Sequence, residues 1–429
     1  MNKETSKISE GNKWTEKRDV KSSNVRMEWK EGEEEESNSI RAIKQEEEEK
    51  DQKIFGVCSK NRVTIYEIKE GGKVSVMSSY EDEAWDEEYV CMEWSVEKKS
   101  CSPLLLVAGR LGVIKILNCH KQELKRALQG HGGMINAIQR HGWDDSILIS
   151  CSSDLSCRVW NIETGVCLLI LSGQEGHRAP VLSCDIHYSG LYIATCAMDH
   201  QIKIWHVKDI FDLIQKSYQV PADHENVKSR KHPHYHHLHP LEEEESEKQK
   251  EKSKEDTFST KMLQFPIFSK RKIHYNYVAH VQWVGDWIFS KSFDNTIRVW
   301  KPDLNDCAVY FFVYKSITTF AELKFPGTPT GLLKFQMDVR KQFLIASNGD
   351  GSIFLWNLSH FFQNYKYKLP KSLSQSQPQS QLQPQLYPFT IRLSGCPSPI
   401  RSLSIHPNLR FLLAGTDQGH LFNIELSFS

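Results

Sequence analysis

Four residue sets in this chain could do chemistry. His131 precedes Asp154 by 23 residues with Ser152, Ser153 and Ser156 close by, and His177 precedes Asp199 by 22. A histidine, a carboxylate and a serine are the parts of a nucleophilic hydrolase site. The tract "HPHYHHLHP" (232–240) offers imidazoles to a metal, and eleven cysteines offer thiols. Spacing argues against each. The serines lie on no nucleophile elbow, no Gly-rich phosphate loop occurs, and no His pair has metal-ligand spacing. The cysteines are odd in number and contain no CxxC pair, which reads as reduced thiols and not as a disulfide or zinc framework. The His tract is followed by acidic and Lys-rich runs and reads as an unstructured surface segment. No catalytic residue, metal or cofactor is expected.

The elements around these residues explain them better. "SSDLSCRVW", "AMDHQIKIW", "SFDNTIRVW" and "NGDGSIFLW" each place an Asp in a turn, then alternate apolar residues up to a Trp six positions on. The pairs are Asp154–Trp160, Asp199–Trp205, Asp294–Trp300 and Asp350–Trp356. Asp417 heads a fifth copy with Asn423 in the Trp place, and "KNRVTIY" and "LGVIKIL" end two weaker copies at Tyr66 and Leu117. Period-2 alternation after a tight turn makes half-buried strands. Three of the successive copies end 43 and 45 residues apart, the period of a WD40 repeat, which is one four-stranded propeller blade. Seven copies predict an all-β, seven-bladed WD40 propeller. In that setting His131 and His177 bond the turn aspartates, and the Trp indoles supply buried area and a donor.

The longer intervals are insertions. The propeller is expected over 22–429 behind a disordered tail of 1–21, with insertions at about 208–262 and 366–388. Disorder is expected at 1–20, about 220–260 and about 370–386, where Glu, Lys, Gln, Pro and Ser dominate and nothing can be buried. Loops of this length leave the ring intact because closure entropy grows slowly. The last repeat ends one strand short, so the N-terminal region must supply a closing strand as well as the first strand of blade one. "SSNVRMEWKEG" (22–32) is the only stretch before Ile54 that reads as a strand.

Lys plus Arg and Asp plus Glu are both 54, so the balance gives no basic face for nucleic acid. No apolar run is long enough to span a membrane. A soluble, intracellular protein is expected.

Several phrases exceed a generic propeller. "NRVTIYE", "SYEDEAWDEEYVCMEW", "EGHRAPVLSCDIHYSGLYIATCAMDHQIKIW", "QFPIFSKRKIHYNYVAHVQWVGDWIFSKSFDNTIRVWKP" and "KFQMD", in this order, resemble the Polycomb WD-repeat family of embryonic ectoderm development and extra sex combs. The plant member, fertilization-independent endosperm, is similar around "NIETGVCLLILSG". The resemblance covers roughly 54–360 and implies a non-catalytic scaffold of Polycomb repressive complex 2 in the nucleus. It further implies an Enhancer of zeste-type SET methyltransferase and a Suppressor of zeste-type subunit as partners, with the methyltransferase helix on one face of the ring. The resemblance also implies the histone H3 tail as a partner on the other face, where the family holds a trimethyl-lysine in an aromatic cage.

By that resemblance the cage positions are Tyr89, Gly331, Leu332 and Ser23, so only one of four is aromatic. A quaternary ammonium has no proton to donate and is held by ring faces, each contributing about 0.5–2 kcal/mol. The expectation is therefore a scaffold with weakened reading of the mark, with Trp85 or Phe325 as substitutes only if loops rearrange. The rival is a substrate adaptor of a cullin-type ubiquitin ligase. Such adaptors often carry an Arg two positions after a Trp-Asp pair, whereas this chain reads "WNIE", "WHVK", "WKPD" and "WNLS".

Overall fold

The ring closes through a two-residue strand. In the computed structural model β1 (Ser22–Ser23) pairs antiparallel with the chain's last strand, Leu421–Glu425, through Ser22 opposite Ile424 and Ser23 opposite Asn423. The structure describes residues 22–23, 42–45, 54–69, 74–142, 144–219, 258–302, 304, 317–328, 333–359, 387–393, 398–406, 409 and 411–426. The tail 1–21, the segments 220–257 and 360–386, and positions 331 and 332 lie outside them.

Seven antiparallel sheets follow, as the repeat period predicts. Blade 1 holds β2 (Ala42–Gln45), β3 (Ile54–Ser59), β4 (Arg62–Ile68) and β5 (Val74–Glu81). Blade 2 holds β6 (Tyr89–Val96), β7 (Pro103–Gly109), β8 (Ile114–Asn118) and β9 (Glu123–Leu128). Blade 3 holds β10 (Ile135–Arg140), β11 (Ile147–Ser152), β12 (Cys157–Asn161) and β13 (Val166–Leu171). Blade 4 holds β14 (Val181–Ile186), β15 (Tyr192–Ala197) and β16 (Ile202–His206), then α1 (Ile210–Ser217) and β17 (Lys261–Leu263) intervene before its outer strand β18 (Phe268–Lys270). Blade 5 holds β19 (Val278–Val284), β20 (Trp287–Ser292), β21 (Thr296–Pro302) and β22 (Ile317–Lys324). Blade 6 holds β23 (Gln336–Met337), β24 (Phe343–Ser347), β25 (Ser352–Asn357) and β26 (Phe389–Arg392). Blade 7 holds β27 (Ile400–Ile405), β28 (Phe411–Thr416), β29 (Leu421–Glu425) and β1.

One expectation needs correction. The stretch 22–32 is not the only strand before Ile54, because β2 starts blade 1 at Ala42. Four residues, "AIKQ", followed by a Glu run leave too short an alternation to read from sequence. The expected insertion at 208–262 carries α1 and β17 on either side of the 220–260 stretch. Ile210 and Leu213 share a helix face and bury it against blade 3, while Ser217 Oγ receives a 2.9 Å hydrogen bond from Asn161 Nδ2. Residues 261–263 then add a parallel fifth strand to the edge of blade 3. This covers an edge that would otherwise offer unpaired backbone groups.

The two weak copies carry a shared mark that the sequence hides. The pairing of the last two strands shifts register at Val159/Trp160 and Val299/Trp300, and equally at Ile65/Tyr66 and Ile116/Leu117. Tyr66 and Leu117 thus occupy the same bulged place as Trp160 and Trp300. A β-bulge re-aims one side chain. With the bulge at Trp160 and Trp300, and without one at Trp205 and Trp356, the terminal residue of the repeat packs against the blade before it. Trp160 packs with Leu104 and Ile114 of blade 2, Trp205 with Ile149 and Leu169 of blade 3, Trp300 with Ala194 and Ile204 of blade 4, and Trp356 with Phe289 and Val299 of blade 5.

The indole partner also follows a sequence rule, ten residues upstream. Trp160 donates to Ser150 at 2.8 Å, Trp205 to Thr195 at 3.0 Å and Trp300 to Ser290 at 3.0 Å. The tenth residue before Trp356 is Ala346, and the Trp356 indole nitrogen is buried without a partner among the described residues. An unmade buried hydrogen bond costs about 1–3 kcal/mol. Ala346→Ser should therefore raise the unfolding free energy by about 1 kcal/mol, read as a higher denaturant midpoint at unchanged slope. An unchanged midpoint would show that the indole is already satisfied.

Candidate functional site

The His–Asp sets fold into closed networks. His131 Nδ1 lies 2.8 Å from Asp154 Oδ2 and its Nε2 lies 2.7 Å from Ser150 Oγ, the oxygen that also accepts from Trp160. His177 repeats this with Asp199 at 2.9 Å and Thr195 at 2.8 Å. The turn aspartates also accept backbone N–H groups, Asp154 from Gly132 at 3.0 Å and Asp199 from Arg178 at 3.1 Å. The residue after each Asp takes a left-handed backbone, at Leu155, His200, Asn295 and Gly351. Burial opposes both carboxylates, but bonds from the paired His hold Asp154 and Asp199 below the usual carboxylate range. Burial in turn keeps His177 below the usual imidazole range despite Asp199. Ser150 is fully buried, with both its partners inside the blade. This geometry positions a turn; it offers no route for a substrate.

Blades 5 and 6 vary the network. His274, which the sequence reading did not single out, bonds Ser290 Oγ through Nε2 at 2.7 Å. It stands 20 residues before Asp294, a spacing that could have flagged it. Asp294 is exposed and makes no hydrogen bond to His274 among the described residues. Before Asp350, Thr328 takes the His place and donates to the carboxylate from its amide at 3.1 Å and from its hydroxyl at 2.7 Å.

Of the proposed cage positions, the structure places only Tyr89 with its side chain. Tyr89 is 0% exposed, and its hydroxyl donates to Asp82, which also pairs with Lys115 and accepts from Ala84 N at 2.9 Å. Burial raises the Tyr89 phenol, and the Asp82 carboxylate raises it further. Its ring is thus shut inside the blade 1–blade 2 junction and does not wall an open mouth. Ser23 contributes backbone pairing in β1. Phe325 is buried against Phe354 at 5.1 Å and Trp356 at 5.6 Å.

Trp85 differs. It stands 88% exposed on the loop "EDEAWDEEY" (81–89), which carries six carboxylates. An exposed indole in an acidic loop suits a cationic side chain at the rim. The loops between consecutive blades share this face with the turn aspartates, because strand direction alternates. On the opposite face the 187–191 and 285–286 turns bring His187, Tyr188 and Asp286 together. Tyr188 is 65% exposed over His187 at 4.1 Å, and Asp286 accepts Lys301 at 2.8 Å.

A WD domain, G-beta repeat family model matches residues 122–161 and 165–206. The chain is 33% identical over 306 residues to Polycomb group protein FIE2 of Zea mays, covering 71% of this chain and 72% of that one. It is 33% identical over 316 residues to Polycomb protein esc of Drosophila melanogaster, covering 72% and 67%. The match to Zea mays FIE1 is 32% identical and spans 59% of that longer relative. Among solved structures, a humanized mutant of the Chaetomium thermophilum Polycomb Repressive Complex 2 bound to GSK126 contains a chain that superposes with a TM-score of 0.71 at 17% identity, covering 96% of this chain and 98% of that one. With the seven blades, the shared bulges and this identity across most of both chains, the protein belongs to the Polycomb FIE/esc family of WD-repeat proteins.

Proposed function

We propose that the chain is the non-catalytic WD-repeat scaffold of a Polycomb repressive complex 2-like histone H3 lysine methyltransferase in the nucleus. In that role it binds an Enhancer of zeste-type SET methyltransferase together with a Suppressor of zeste-type subunit, and supports transcriptional silencing. The observation that carries this reading is 33% identity to FIE2 over 71% of the chain on a complete seven-bladed ring. The ubiquitin-ligase adaptor is not favoured, since the relatives matched over that span are Polycomb proteins. Affinity purification from nuclei tests the proposal. Enhancer-of-zeste and Suppressor-of-zeste homologues should co-elute, and recovery of a cullin with its propeller-binding linker instead would overturn it.

In the same reading, methyl-lysine recognition is weak. Tyr89 is enclosed, and Gly331 and Leu332, which lie outside the described residues, bring no rings. A trimethyl-lysine that keeps one cation–π contact at Trp85 retains about 0.5–2 kcal/mol, set against the cost of ordering the peptide. Calorimetry should show methylated histone H3 peptide binding weaker than about 1 mM, or no dependence on methylation. Gly331→Trp with Leu332→Tyr should strengthen binding of the methylated peptide alone. Micromolar, methylation-dependent binding by the unchanged chain would contradict this.

A further inference from the structure

Three cysteines far apart in sequence meet at the junction of blades 3 and 4. Cys151 lies on β11, Cys157 on β12 and Cys184 on β14, and their sulfurs all stand within 4.8 Å of one another. All three are buried, in the same apolar cluster as Ile149, Val159, Val181 and Ala197. The spacings, five and 26 intervening residues, match no metal motif, which is why the sequence reading treated these thiols singly.

We propose that Cys151, Cys157 and Cys184 form a three-thiolate site for a thiophilic d10 metal ion, zinc or monovalent copper, that staples blade 3 to blade 4. The donor set is wholly soft, and soft thiolates select these ions over oxygen-seeking cations. With metal–sulfur bonds of about 2.3 Å, three sulfurs round one ion stand about 3.8–4.0 Å apart, inside the observed spread. The Cys151 and Cys157 sulfurs, 2.7 Å apart, must open by about 1 Å to admit the ion. The pair is a direct cross-strand neighbour in the β11–β12 ladder, so rotation about the side chains supplies this movement. A bound trithiolate is anionic. Lys334, anchored on Asn136 O at 2.9 Å, acts on Cys184 as a positive charge that compensates it. Burial holds the Cys151 and Cys157 thiols well above their usual range, so loading must expel their protons into solvent.

The test uses the full chain, reduced and anaerobic, titrated with Zn2+ in one arm and Cu+ in the other. One ion per chain should bind, with release of two to three protons and a higher melting temperature. X-ray absorption at the metal edge should show three sulfur neighbours and no nitrogen or oxygen shell from protein. The arm with tighter binding identifies the ion. Cys184→Ala should weaken binding at least about 100-fold, while Cys101→Ser, at an exposed thiol, should leave it unchanged. The absorption spectrum of the unmodified chain decides the matter even if Cys184→Ala fails to fold. Absence of saturable binding, fewer than three sulfurs, or equal loss in Cys101→Ser overturns the site. So does a Cys151–Cys157 disulfide formed with peroxide (two thiols oxidised, peroxide reduced to two waters) in a chain that takes up neither metal.

Discussion

Trp300→Ala should lower the unfolding free energy by about 3–5 kcal/mol, the range for truncating a buried aromatic. Trp300 is fully buried, stacks on Phe268 at 5.6 Å and closes the blade 4–blade 5 core with Ala194, Ile204 and Ile288. Its loss also removes the donor to Ser290, which then keeps only His274. The cavity opens between two sheets, so neither blade can collapse to fill it without moving the other. Chemical denaturation of the variant should show the lower midpoint. A soluble variant with unchanged stability but lost partner binding would mean that Trp300 serves recognition and not construction.

Lys291→Met should work in the opposite sense, stabilising the chain by about 3 kcal/mol at neutral pH. Lys291 is 0% exposed on β20, and its Nζ has no hydrogen-bond partner among the described residues, only the Phe325 ring at 5.8 Å. Burial pulls its amine down to about 8 from an ordinary value of 10.5, and Asp294 offsets this only in part. Between those values the unfolded chain holds the proton and the folded chain does not. Stability is therefore highest above pH 10.5, falls as pH drops towards 8, and this contribution is constant below. In the wild type, unfolding free energy should rise from pH 8 to 10; in Lys291→Met that rise should flatten. A destabilised variant with an unaltered pH slope would show that the amine has a partner worth more than its desolvation.

His274, pushed down to about 3 mainly by burial, adds an acid limb in the same direction. The unfolded imidazole gains its proton near 6.5 while the folded one does not, so stability drops as pH falls from 6.5 towards 3.

The blades were legible where one side chain must do two jobs. An Asp for the turn and a Trp for the neighbouring blade leave a strong mark, and the first two such copies with the weaker one ending at Leu117 set the period. Tyr66 and Leu117 were recognisable only weakly, because a bulge can aim any large apolar residue and keeps no residue type of its own. The closing strand β1 and the opening strand β2 were harder still. Two to four residues held by backbone hydrogen bonds to a sheet that already exists need no alternation. The same holds for β17, whose parallel pairing to blade 3 depends on where α1 docks. The cysteine cluster was hidden because register between two separate blades, not sequence spacing, brings the sulfurs together. The enclosure of Tyr89 was not legible, since the bond to Asp82 that encloses it belongs to a loop.

Co-expression of the full chain with an Enhancer of zeste-type methyltransferase from the same organism, followed by size-exclusion chromatography with light scattering, tests the scaffold role most directly. The expected result is a stable one-to-one complex that persists in moderate salt. An amphipathic helix laid in a preformed channel is held by buried apolar area, which salt does not screen. Failure of the two folded chains to associate, or a complex that dissolves on a modest rise in ionic strength, would contradict the account.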